Sequence, residues 1–595
     1  MAKRELQLIV HKIDDHQKAL KKFEKKCEEG SQKAKDIILN YPTVYLHNWK
    51  TKNLYEVYIG ETNDIIQRTK QHYSEAKNSD SWQAEMLEKD AKLYIIGYEH
   101  FNKSMTLDVE NRLMMYLMSV EQIRKIHNQR GNPQKKYYPD YEFEGVFHKI
   151  WSTLRKKDPE LFPSESRIRE SAIFKASPLH KLTSDQEWAK EYMIQKVLSA
   201  VENTQERQLI FIEGEAGTGK TVLNSSTFYE LYLLAEERKL DHFQCRLIVN
   251  HDEQIRVYQQ IADKLGITEK YGDVVSKPTR FINRHTEQEP IDVAFIDEAH
   301  LLLTQGKQAY RGKNQLEDII KRAKVVVIMF DENQILTTEQ YWEEQILDRY
   351  RNLAKKAGNY IELKDQLRIF ADPGTIEWID ALTKDQMIRE IPQDTKQYEI
   401  KIFDSPSKLE EAIKEKARTE DGALSRMVAT YDWEYNRKKA PTERLKNYWE
   451  VLINDWHKPW NYQLEKGLDR HKKKKIKELS WAEQPQTIDE IGSTFTVQGF
   501  DLNYVGVILG PSVKYRNGRV IFDPEASANK KAKQNRTLSD GRRKKFGEKL
   551  IQHEVRVLMT RGVNGLYIYA CDDELRKALV QAANQNESKE TKNGK

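Results

Sequence analysis

An eight-residue segment that begins at Gly214 reads Gly-Glu-Ala-Gly-Thr-Gly-Lys-Thr, a spacing that can hold the phosphates of a nucleoside triphosphate. Because Gly214, Gly217 and Gly219 lack a Cβ, backbone N–H groups can wrap closely around phosphate oxygens. Lys220 supplies positive charge to the β- and γ-phosphates, and Thr221 offers a hydroxyl to Mg²⁺. The segment therefore predicts an ATP site with Mg²⁺.

Two acidic residues, Asp297 and Glu298, directly follow the apolar run 293–296. A carboxylate at the end of a strand can hold the metal ion directly or through water, so Asp297 is the expected ligand. Glu298 is placed to polarise the attacking water. With the glycine-rich segment, this pair predicts ATP hydrolysis rather than binding alone.

Continuous apolar runs alternate with helical patterns from residue 181 onward. Such runs are typical of parallel strands with both faces covered. We therefore predict an α/β multidomain protein whose two RecA-like parallel-sheet lobes span 181–395 (ATP-binding lobe 1) and 396–578 (lobe 2, with basic insertions). The runs that define the strands are 209–212, 246–249, 293–296, 325–329, 427–429, 504–509 and 566–569.

Further short motifs, in their order across residues 181 to 575, resemble those of superfamily 1 helicases, closest to the Schlafen-like group. The resemblance implies that Gln186 reads adenine, that Gln334 senses the γ-phosphate, and that Gln498 belongs to a lobe-2 motif that couples ATP to nucleic acid. The motifs are Leu182-Thr183-Ser184-Asp185-Gln186, Asp331-Glu332-Asn333-Gln334, Leu363-Lys364-Asp365-Gln366-Leu367-Arg368, Thr494-Phe495-Thr496-Val497-Gln498-Gly499-Phe500-Asp501 and Val557-Leu558-Met559-Thr560-Arg561-Gly562.

The same resemblance implies that Arg368 reaches the γ-phosphate and that Arg561 is an arginine finger. These cations come from opposite lobes. They would converge on the nucleotide only when the cleft closes, so we expect hydrolysis to be coupled to lobe movement.

A second set of chemically capable residues lies near the start of the chain. Tyr45 and Tyr58 fall on two apolar runs separated by a polar stretch, as in a β-hairpin. Arg68 and His72 are four residues apart, so one helix face would present both. Glu110 lies on a strongly apolar helical pattern. Taken singly, each could be an ordinary sheet, surface or rim residue; together they suit phosphodiester hydrolysis, which needs a base, a phosphate-binding cation and a metal ligand.

The order and spacing of these residues over 41–132 resemble the GIY-YIG endonuclease family. Tyr58-Ile59-Gly60 matches the second tripeptide of that family, whereas Thr43-Val44-Tyr45 keeps only the Tyr of the first. Asn128 matches the late structural Asn. The resemblance implies a small mixed α/β nuclease domain.

The resemblance also implies roles. Tyr45 is the general base, assisted by His72 or Tyr58. Arg68 binds the scissile phosphate as a planar donor. Glu110 holds a single Mg²⁺, with Mn²⁺ as the alternative, and this ion stabilises charge on the phosphate and leaving group.

Three further segments lie before, between and after these regions. Residues 1–40 have apolar residues at roughly helical spacing and predict an N-terminal helical segment. Residues 133–180, with prolines and a Lys-Lys-Tyr-Tyr-Pro run, predict a connector. Residues 579–595 are rich in Asn, Gln, Glu and Lys and predict a disordered tail.

Bulk composition predicts a soluble, cytoplasmic protein. The 595 residues include 98 Lys and Arg against 92 Asp and Glu, a net charge of +6, and the mean hydropathy is −0.79. No apolar run approaches the roughly 20 residues that span a bilayer, so no membrane partner is expected. Cys27, Cys245 and Cys571 lie far apart, which suits a reducing compartment.

Two basic runs, residues 470–477 and 530–545, suggest a track for nucleic acid. Aromatic residues near the first run would stack bases while the lysines and arginines follow phosphates; solvated loops are the alternative. The candidate stacking residues are Trp456, Trp460, Tyr462 and Trp481, with Tyr431, Trp433 and Tyr435 as a second set.

These patterns predict an ATP-dependent nuclease–helicase that acts on DNA, single-stranded or branched, with RNA as an alternative. Defence against foreign DNA is one hypothesis for its role, and repair is its competitor. The rival function is an ATP-dependent recognition switch whose nuclease-like domain binds DNA without cutting it.

Overall fold

A computed structural model of the protein describes residues 6–76, 81–128, 136–203, 207–240, 242–306, 310–419, 422–437, 439, 441, 447–476 and 479–593. Residues 129–135, where the expected connector begins, and Lys477 of the first basic run lie outside the described residues. The chain divides into two compact units. The first comprises Met1–Thr183, Ser225–Phe243 and Val257–Val275, and the second comprises Ser184–Asn224, Gln244–Arg256 and Ser276–Lys595.

The first unit contains a five-stranded sheet. Its strand order is β1-β4-β2-β3-β5; β1, β4, β2 and β3 pair antiparallel, and β5 pairs parallel to β3. The predicted hairpin is confirmed, because Lys52 and Asn53, both at positive φ, form the tight turn between β2 and β3. The strands are β1 (Leu8–Asp14), β2 (Thr43–Thr51), β3 (Leu54–Thr62), β4 (Lys92–Tyr98) and β5 (Ile123–Ile126).

The N-terminal segment differs from the prediction, because β1 is a strand rather than part of a helix. It pairs with β4 along its whole length, from Leu8 opposite Tyr98 to Asp14 opposite Lys92. Ile9 and Ile13 are four residues apart, as on a helix, yet both pack against the apolar cluster beneath the sheet. Pairing with β4 overrides the local helical spacing.

Helices cover this sheet and extend through the expected connector. Ile65–Glu75 carries Arg68 and His72, and Lys103–Met118 carries Glu110. The α-helices before residue 184 are Gln17–Glu28, Gln32–Lys35, Ile65–Glu75, Trp82–Leu87, Lys103–Met118, Phe143–Lys157, Glu165–Glu170 and Ala172–Lys175, and a π-helix spans Asp36–Asn40.

The second unit contains the two predicted parallel sheets. The sheet of lobe 1 has the order β11-β6-β10-β9-β7-β8, and β11, β6, β10, β9 and β7 pair parallel. This confirms the parallel arrangement expected from the apolar runs. The strands are β6 (Gln208–Gly214), β7 (Cys245–Val249), β8 (Val275–Ser276), β9 (Ile291–Asp297), β10 (Ala323–Phe330) and β11 (Tyr360–Leu363).

The sheet of lobe 2 has the order β12-β21-β16-β13 and is parallel throughout. Three antiparallel hairpins, β14–β15, β17–β18 and β19–β20, accompany it. The strands are β12 (Glu399–Ile402), β13 (Arg426–Ala429), β14 (Glu450–Ile453), β15 (Trp456–Pro459), β16 (Leu502–Leu509), β17 (Val513–Arg516), β18 (Arg519–Phe522), β19 (Asn535–Thr537), β20 (Arg543–Lys545) and β21 (Gly562–Ala570).

Two helices differ from the expected boundaries of lobe 2. Pro373–Thr383 precedes residue 396, yet Trp378 and Leu382 belong to the apolar core of lobe 2. The last helix, Asp573–Asn593, continues through most of the segment expected to be disordered, because its Glu, Lys, Gln and Ala residues favour helix.

The helices from residue 184 onward connect and cover the strands. Within the described part of the chain, none has a stretch long and apolar enough to cross a membrane. They are Ser184–Asn203, Lys220–Glu237, Asp252–Lys264, Ile267–Tyr271, Pro278–Arg284, Gln315–Ile320, Glu344–Lys356, Pro373–Thr383, Pro406–Ala417, Arg470–Ile476, Thr494–Val497, Lys530–Lys533, Gly547–Met559 and Asp573–Asn593.

The strand assignment of β1 predicts a local effect of Val10→Asp. Val10 is 9% exposed, so an aspartate there should destabilise the edge pairing by about 2 kcal/mol and increase amide hydrogen exchange in β4. Lys12→Gln, at an exposed position of the same strand, should change stability by less than about 0.5 kcal/mol. Unchanged exchange in β4 of the Val10 variant would contradict the pairing.

Candidate active sites

The phosphate loop follows β6 and leads into helix Lys220–Glu237. Gly217 and Gly219 have φ of 92° and 76°, values that side chains rarely tolerate. A Cβ at Gly217 would overlap the Gln366 side chain, and one at Gly219 would overlap Gln186. The loop is therefore shaped by glycines that nothing larger can replace.

Two side chains bind this loop. Gln186 Nε2 donates to the Thr218 carbonyl at 3.0 Å, so the residue expected to read adenine contacts the phosphate loop. The buried Lys220 ammonium donates to the carbonyls of Gly214 and Glu215 at 2.6 and 2.7 Å. Its positive charge already lies inside the loop, where a phosphate would meet it.

The expected metal ligands are adjacent. Thr221 Oγ1 lies 3.3 Å from Asp297 Oδ2, at the end of β9. A hydroxyl and a carboxylate are hard oxygen donors, which fit Mg²⁺. Asp297 is 1% exposed, so a cation beside it would face little competition from water.

Glu298 has an unusual backbone and close polar neighbours. Its φ is 50°, in the left-handed region, where backbone strain is often stored at functional sites. The Glu298 carboxylate lies 3.1 Å from His300 Nε2 and accepts from Gln254 Nε2 at 3.4 Å. The buried Glu298 is thereby held next to Asp297, the expected metal ligand.

Asp331 and Gln334 lie at the end of β10 and connect the lobes. Gln334 Nε2 donates to Asp331 Oδ2 at 2.9 Å, and Gln498 Nε2 of lobe 2 donates to the Gln334 carbonyl at 3.1 Å. Burial would raise the pKa of Asp331, but Lys220 and His300 hold it below its ordinary value. The predicted γ-phosphate sensor and the predicted coupling glutamine are therefore in direct contact.

Arg561 is buried and Arg368 is half-buried, and both are expected to face the nucleotide. Arg368 Nε lies 2.5 Å from Asp501 Oδ1, and Arg561 Nε donates to the Val557 carbonyl at 2.9 Å. Burial, followed by repulsion from Arg368, lowers the pKa of Arg561 to about 9. Arg368 Nη1 and Arg561 Nη2 have no hydrogen-bond acceptor among the described residues, so both have donors left for an anion such as a γ-phosphate.

Sequence reasoning missed three charged residues at this site. Arg556 Nη2 and Lys384 Nζ each lie 2.7 Å from a carboxylate oxygen of Glu215, inside the phosphate loop. Glu215 occupies a position of the loop pattern that any residue can fill. Arg556 and Lys384 lie 341 and 169 residues from Glu215 in the sequence, so no local pattern reveals the pairing.

The first unit contains a cavity of about 260 Å³ that brings together most of the residues expected for phosphodiester cleavage. We call it the Tyr45 cleft. Its lining residues are Tyr45, Tyr58, Gly60, Glu61, Arg68, Leu107, Glu110, Asn111, Met114 and Asn128.

The β2–β3 hairpin positions the two tyrosines. Tyr45 pairs with Gly60 across the hairpin, and a Cβ at Gly60 would come within 2.5 Å of the Tyr45 hydroxyl oxygen. Only glycine lets the Tyr45 ring cross this strand. Trp82 stacks on Tyr58 at a centroid distance of 4.2 Å and an interplanar angle of 14°, which fixes the second ring.

His72 lies behind Tyr45. Its Nε2 is 3.0 Å from the Tyr45 hydroxyl, and its Nδ1 is 3.4 Å from a carboxylate oxygen of Glu75. Burial and the neighbouring His47 and Arg68 lower the pKa of His72 to about 2. His72 is therefore neutral, and with its proton on Nδ1 it can accept a hydrogen bond from the Tyr45 hydroxyl through Nε2.

Tyr45 also contacts Arg68, whose Nε donates to the hydroxyl at 3.3 Å. Burial, and then Tyr58, raise the pKa of Tyr45 well above its ordinary value, although Arg68 opposes them. A free Tyr45 phenolate is thus disfavoured, and the residue can deprotonate water only if its own proton leaves at the same time.

Glu110 is 6% exposed and faces the cleft. Asn128 Nδ2 donates to the Glu110 carboxylate and, at 2.6 Å, to the Ile59 carbonyl. No cluster of three His, Cys, Asp or Glu residues suited to a metal ion occurs within the described ranges. Glu61 also lines the cleft but is paired with Lys103, so Glu110 remains the expected ligand of a weakly held Mg²⁺ or Mn²⁺.

A buried pair beneath the cleft was also missed. His47 Nδ1 contacts the Asp15 carboxylate, which accepts a 2.8 Å hydrogen bond from the Tyr73 hydroxyl. His47 lies two residues from Tyr45 on β2 and therefore on the same face of the sheet. Because side chains alternate along a strand, the sequence alone could have placed His47 beside Tyr45.

The candidate stacking residues near the first basic run are largely structural. Trp460 and Trp481 are fully buried, and Trp481 Nε1 donates to Glu490 at 2.9 Å. The interpretation of these two as base-stacking residues is therefore wrong. Phe495 is 48% exposed and lies edge-on to Tyr431 at 5.2 Å, so it is the better candidate.

The phosphate loop predicts different effects for two matched glycine substitutions. Gly219 and Gly518 share a φ of 76°, but only Gly219 has a side chain in the way of a Cβ, whereas the space at Gly518 is open. Both alanine variants should lose about 1 kcal/mol of stability, and only Gly219→Ala should weaken binding of a fluorescent ATP analogue. Equal binding by the two variants would contradict the contact between Gln186 and the loop.

Comparisons with known proteins agree with the lobe architecture. The family described as "Schlafen group 3, DNA/RNA helicase domain" matches residues 207–572. The uncharacterized protein YPL245W of Saccharomyces cerevisiae is 33% identical over 407 residues, which cover 63% of this chain and 84% of the yeast protein.

Two solved structures that match this chain do so weakly. Domain III of the replication initiation protein DnaA from Thermotoga maritima is 15% identical, covering 31% of this chain and 69% of that chain with a TM-score of 0.17. AMPPCP-bound DnaA from Aquifex aeolicus is 17% identical, covering 33% and 50% with the same TM-score. These scores are too low to argue a shared fold. The family match spans more than half of the chain, and the protein accordingly belongs to the Schlafen group 3 family through its DNA/RNA helicase domain.

Proposed function

We propose that this protein is an ATP-dependent nuclease–helicase in which lobes 1 and 2 remodel or translocate DNA and the first unit cuts it. The nuclease part of this proposal rests on one observation. Tyr45, Arg68 and Glu110 line the same cleft, and His72 lies behind Tyr45. These residues come from a strand and two helices that are distant in sequence. Their presence around one cleft favours a shared site for a GIY-YIG-type reaction over a chance grouping of four surface residues.

In the proposed cleavage, Tyr45 acts as a proton relay. Tyr45 takes a proton from the attacking water while giving its own to His72 Nε2, and His72 passes its Nδ1 proton to the Glu75 carboxylate, so neither a phenolate nor an imidazolium accumulates. Arg68 binds the scissile phosphate with its guanidinium. Glu110 would hold a divalent ion, which supplies charge stabilisation to the phosphate when bound.

In the proposed ATP hydrolysis, Lys220 binds the β- and γ-phosphates, and Thr221 with Asp297 would hold Mg²⁺. Glu298 orients and deprotonates the attacking water. Arg368 and Arg561 then neutralise charge that develops on the γ-phosphate. Because they belong to different lobes, only the closed cleft is competent.

The rival function is a recognition switch whose first unit binds DNA without cutting. The hydrogen bond from Asn128 to Glu110 favours it, because this bond occupies part of the single metal carboxylate. A supercoiled plasmid incubated with Mg²⁺ or Mn²⁺, with and without ATP, distinguishes the two. Absence of cutting of DNA and RNA under every condition would favour the switch.

For the ATP site, Lys220→Ala should abolish hydrolysis, because nothing nearby replaces its charge at the phosphates. Glu298→Gln should still bind ATP but should hydrolyse it about 10²-fold more slowly, since the amide cannot accept the water proton. Phosphate release and binding of a fluorescent ATP analogue measure the two effects. Near-normal hydrolysis by the Lys220 variant would overturn the assignment.

For the Tyr45 cleft, Glu110→Ala and Arg68→Ala should each abolish strand cutting while leaving DNA-stimulated ATP hydrolysis largely intact. Glu121→Ala, which removes an exposed carboxylate, should cut like the wild type and serves as the control. Circular dichroism checks that all three variants fold. Unimpaired cutting by the Glu110 variant would mean that the nuclease assignment is wrong.

A further inference from the structure

Asp380, on helix Pro373–Thr383, binds two cations of lobe 2 at once. Arg556 donates to Asp380 Oδ1 through Nε and Nη2, at 3.1 and 2.9 Å. Lys384 Nζ lies 2.8 Å from Asp380 Oδ2. The Asp380 carboxylate therefore holds the Arg556 guanidinium and the Lys384 ammonium side by side.

Both cations also reach Glu215 of the phosphate loop in lobe 1. Arg556 Nη2 is 2.7 Å from Glu215 Oε2, and Lys384 Nζ is 2.7 Å from Glu215 Oε1. Each carboxylate oxygen of Glu215 thus has its own cation. This is a direct ionic link from lobe 2 to the loop that would hold the phosphates.

Glu215, Asp380, Lys384 and Arg556 differ in exposure, and this difference allows the contact with Glu215 to form and break. The Arg556 side chain is 6% exposed, whereas Glu215 is 42% exposed. Removing the partner of a buried charge usually costs several kcal/mol. Here Asp380 would remain bound to Arg556 after Glu215 departed, so opening the cleft would leave no buried charge unpaired.

The position of Glu215 gives this link a second consequence. A carboxylate inside the phosphate loop repels the negative charge of a nucleoside triphosphate at close range. Arg556 and Lys384 neutralise that carboxylate. The loop can therefore accept ATP without repulsion as long as both cations stay in place.

We propose that Arg556 and Lys384 are positioning residues that act through Glu215: they neutralise the phosphate loop for ATP and hold lobe 2 closed over it. The inference rests on the proposed ATP hydrolysis at this site. Neither residue needs to touch the nucleotide, which distinguishes them from Arg368 and Arg561. The link predicts separate effects on KM and kcat.

Arg556→Gln should raise the KM for ATP about tenfold, because Glu215 loses a neutralising partner, and should lower kcat about tenfold, because the closed cleft is less populated. Glu215→Gln should lower kcat by a similar factor without raising KM, since the repulsive charge has gone as well. The double variant should regain a near-normal KM and have a kcat no lower than either single variant. Lys384→Gln, at a more exposed position, should raise KM about threefold and provides a second test if Arg556→Gln does not fold.

Steady-state hydrolysis and binding of a fluorescent ATP analogue would both be measured on the full chain. Lys408→Gln, which removes an exposed lysine that pairs with Asp404 just before its helix, is the control for loss of charge. A double variant whose KM stays as high as that of Arg556→Gln would overturn the inference, because the two residues would then act independently. Absence of hydrolysis in the wild type would instead contradict the proposed function, and the binding measurements would still test the link.

Discussion

In lobe 1, β6, β9, β10 and β11 run parallel, so their carboxyl ends meet at one edge of the sheet. Glu213 pairs opposite Phe330, and Gly214 pairs opposite Leu363. Asp297 ends β9 and Asp331 follows β10, so both reach the same edge. The phosphate loop, the expected metal ligand and the expected γ-phosphate sensor are adjacent only because these strands share direction and register. The ionic contacts between the lobes depend on this edge.

The Tyr45 cleft differs from the ATP site in its construction. Tyr45 and His72, the residues expected to move the proton, are buried within the first unit and are not gathered at the carboxyl edge of a sheet. Burial makes the Tyr45 phenolate unfavourable and keeps His72 neutral. These two effects are compatible with base chemistry only if neither residue keeps the proton, so that it moves from Tyr45 to His72 Nε2 while the Nδ1 proton of His72 passes to Glu75. The 3.0 Å separation of their polar atoms allows such a transfer.

Much of this arrangement could be predicted from the sequence, because hydrophobic runs and glycine spacing report local requirements. Gly217 and Gly219 are needed for the loop whatever surrounds it. The sequence could not reveal that residues 8–14 form a strand, since only pairing with β4 overrides their helical spacing. It also could not distinguish the buried Trp481 from a surface aromatic, because its partner Glu490 becomes apparent only in the folded lobe.

The edge strand β1 has a consequence for handling the protein. It covers β4, whose run Leu93-Tyr94-Ile95-Ile96 is fully buried and strongly apolar. Without β1, that run would present open backbone donors and acceptors at a sheet edge, which is a template for pairing with other chains. An expression fragment that begins after residue 14 should therefore aggregate through the exposed edge of β4.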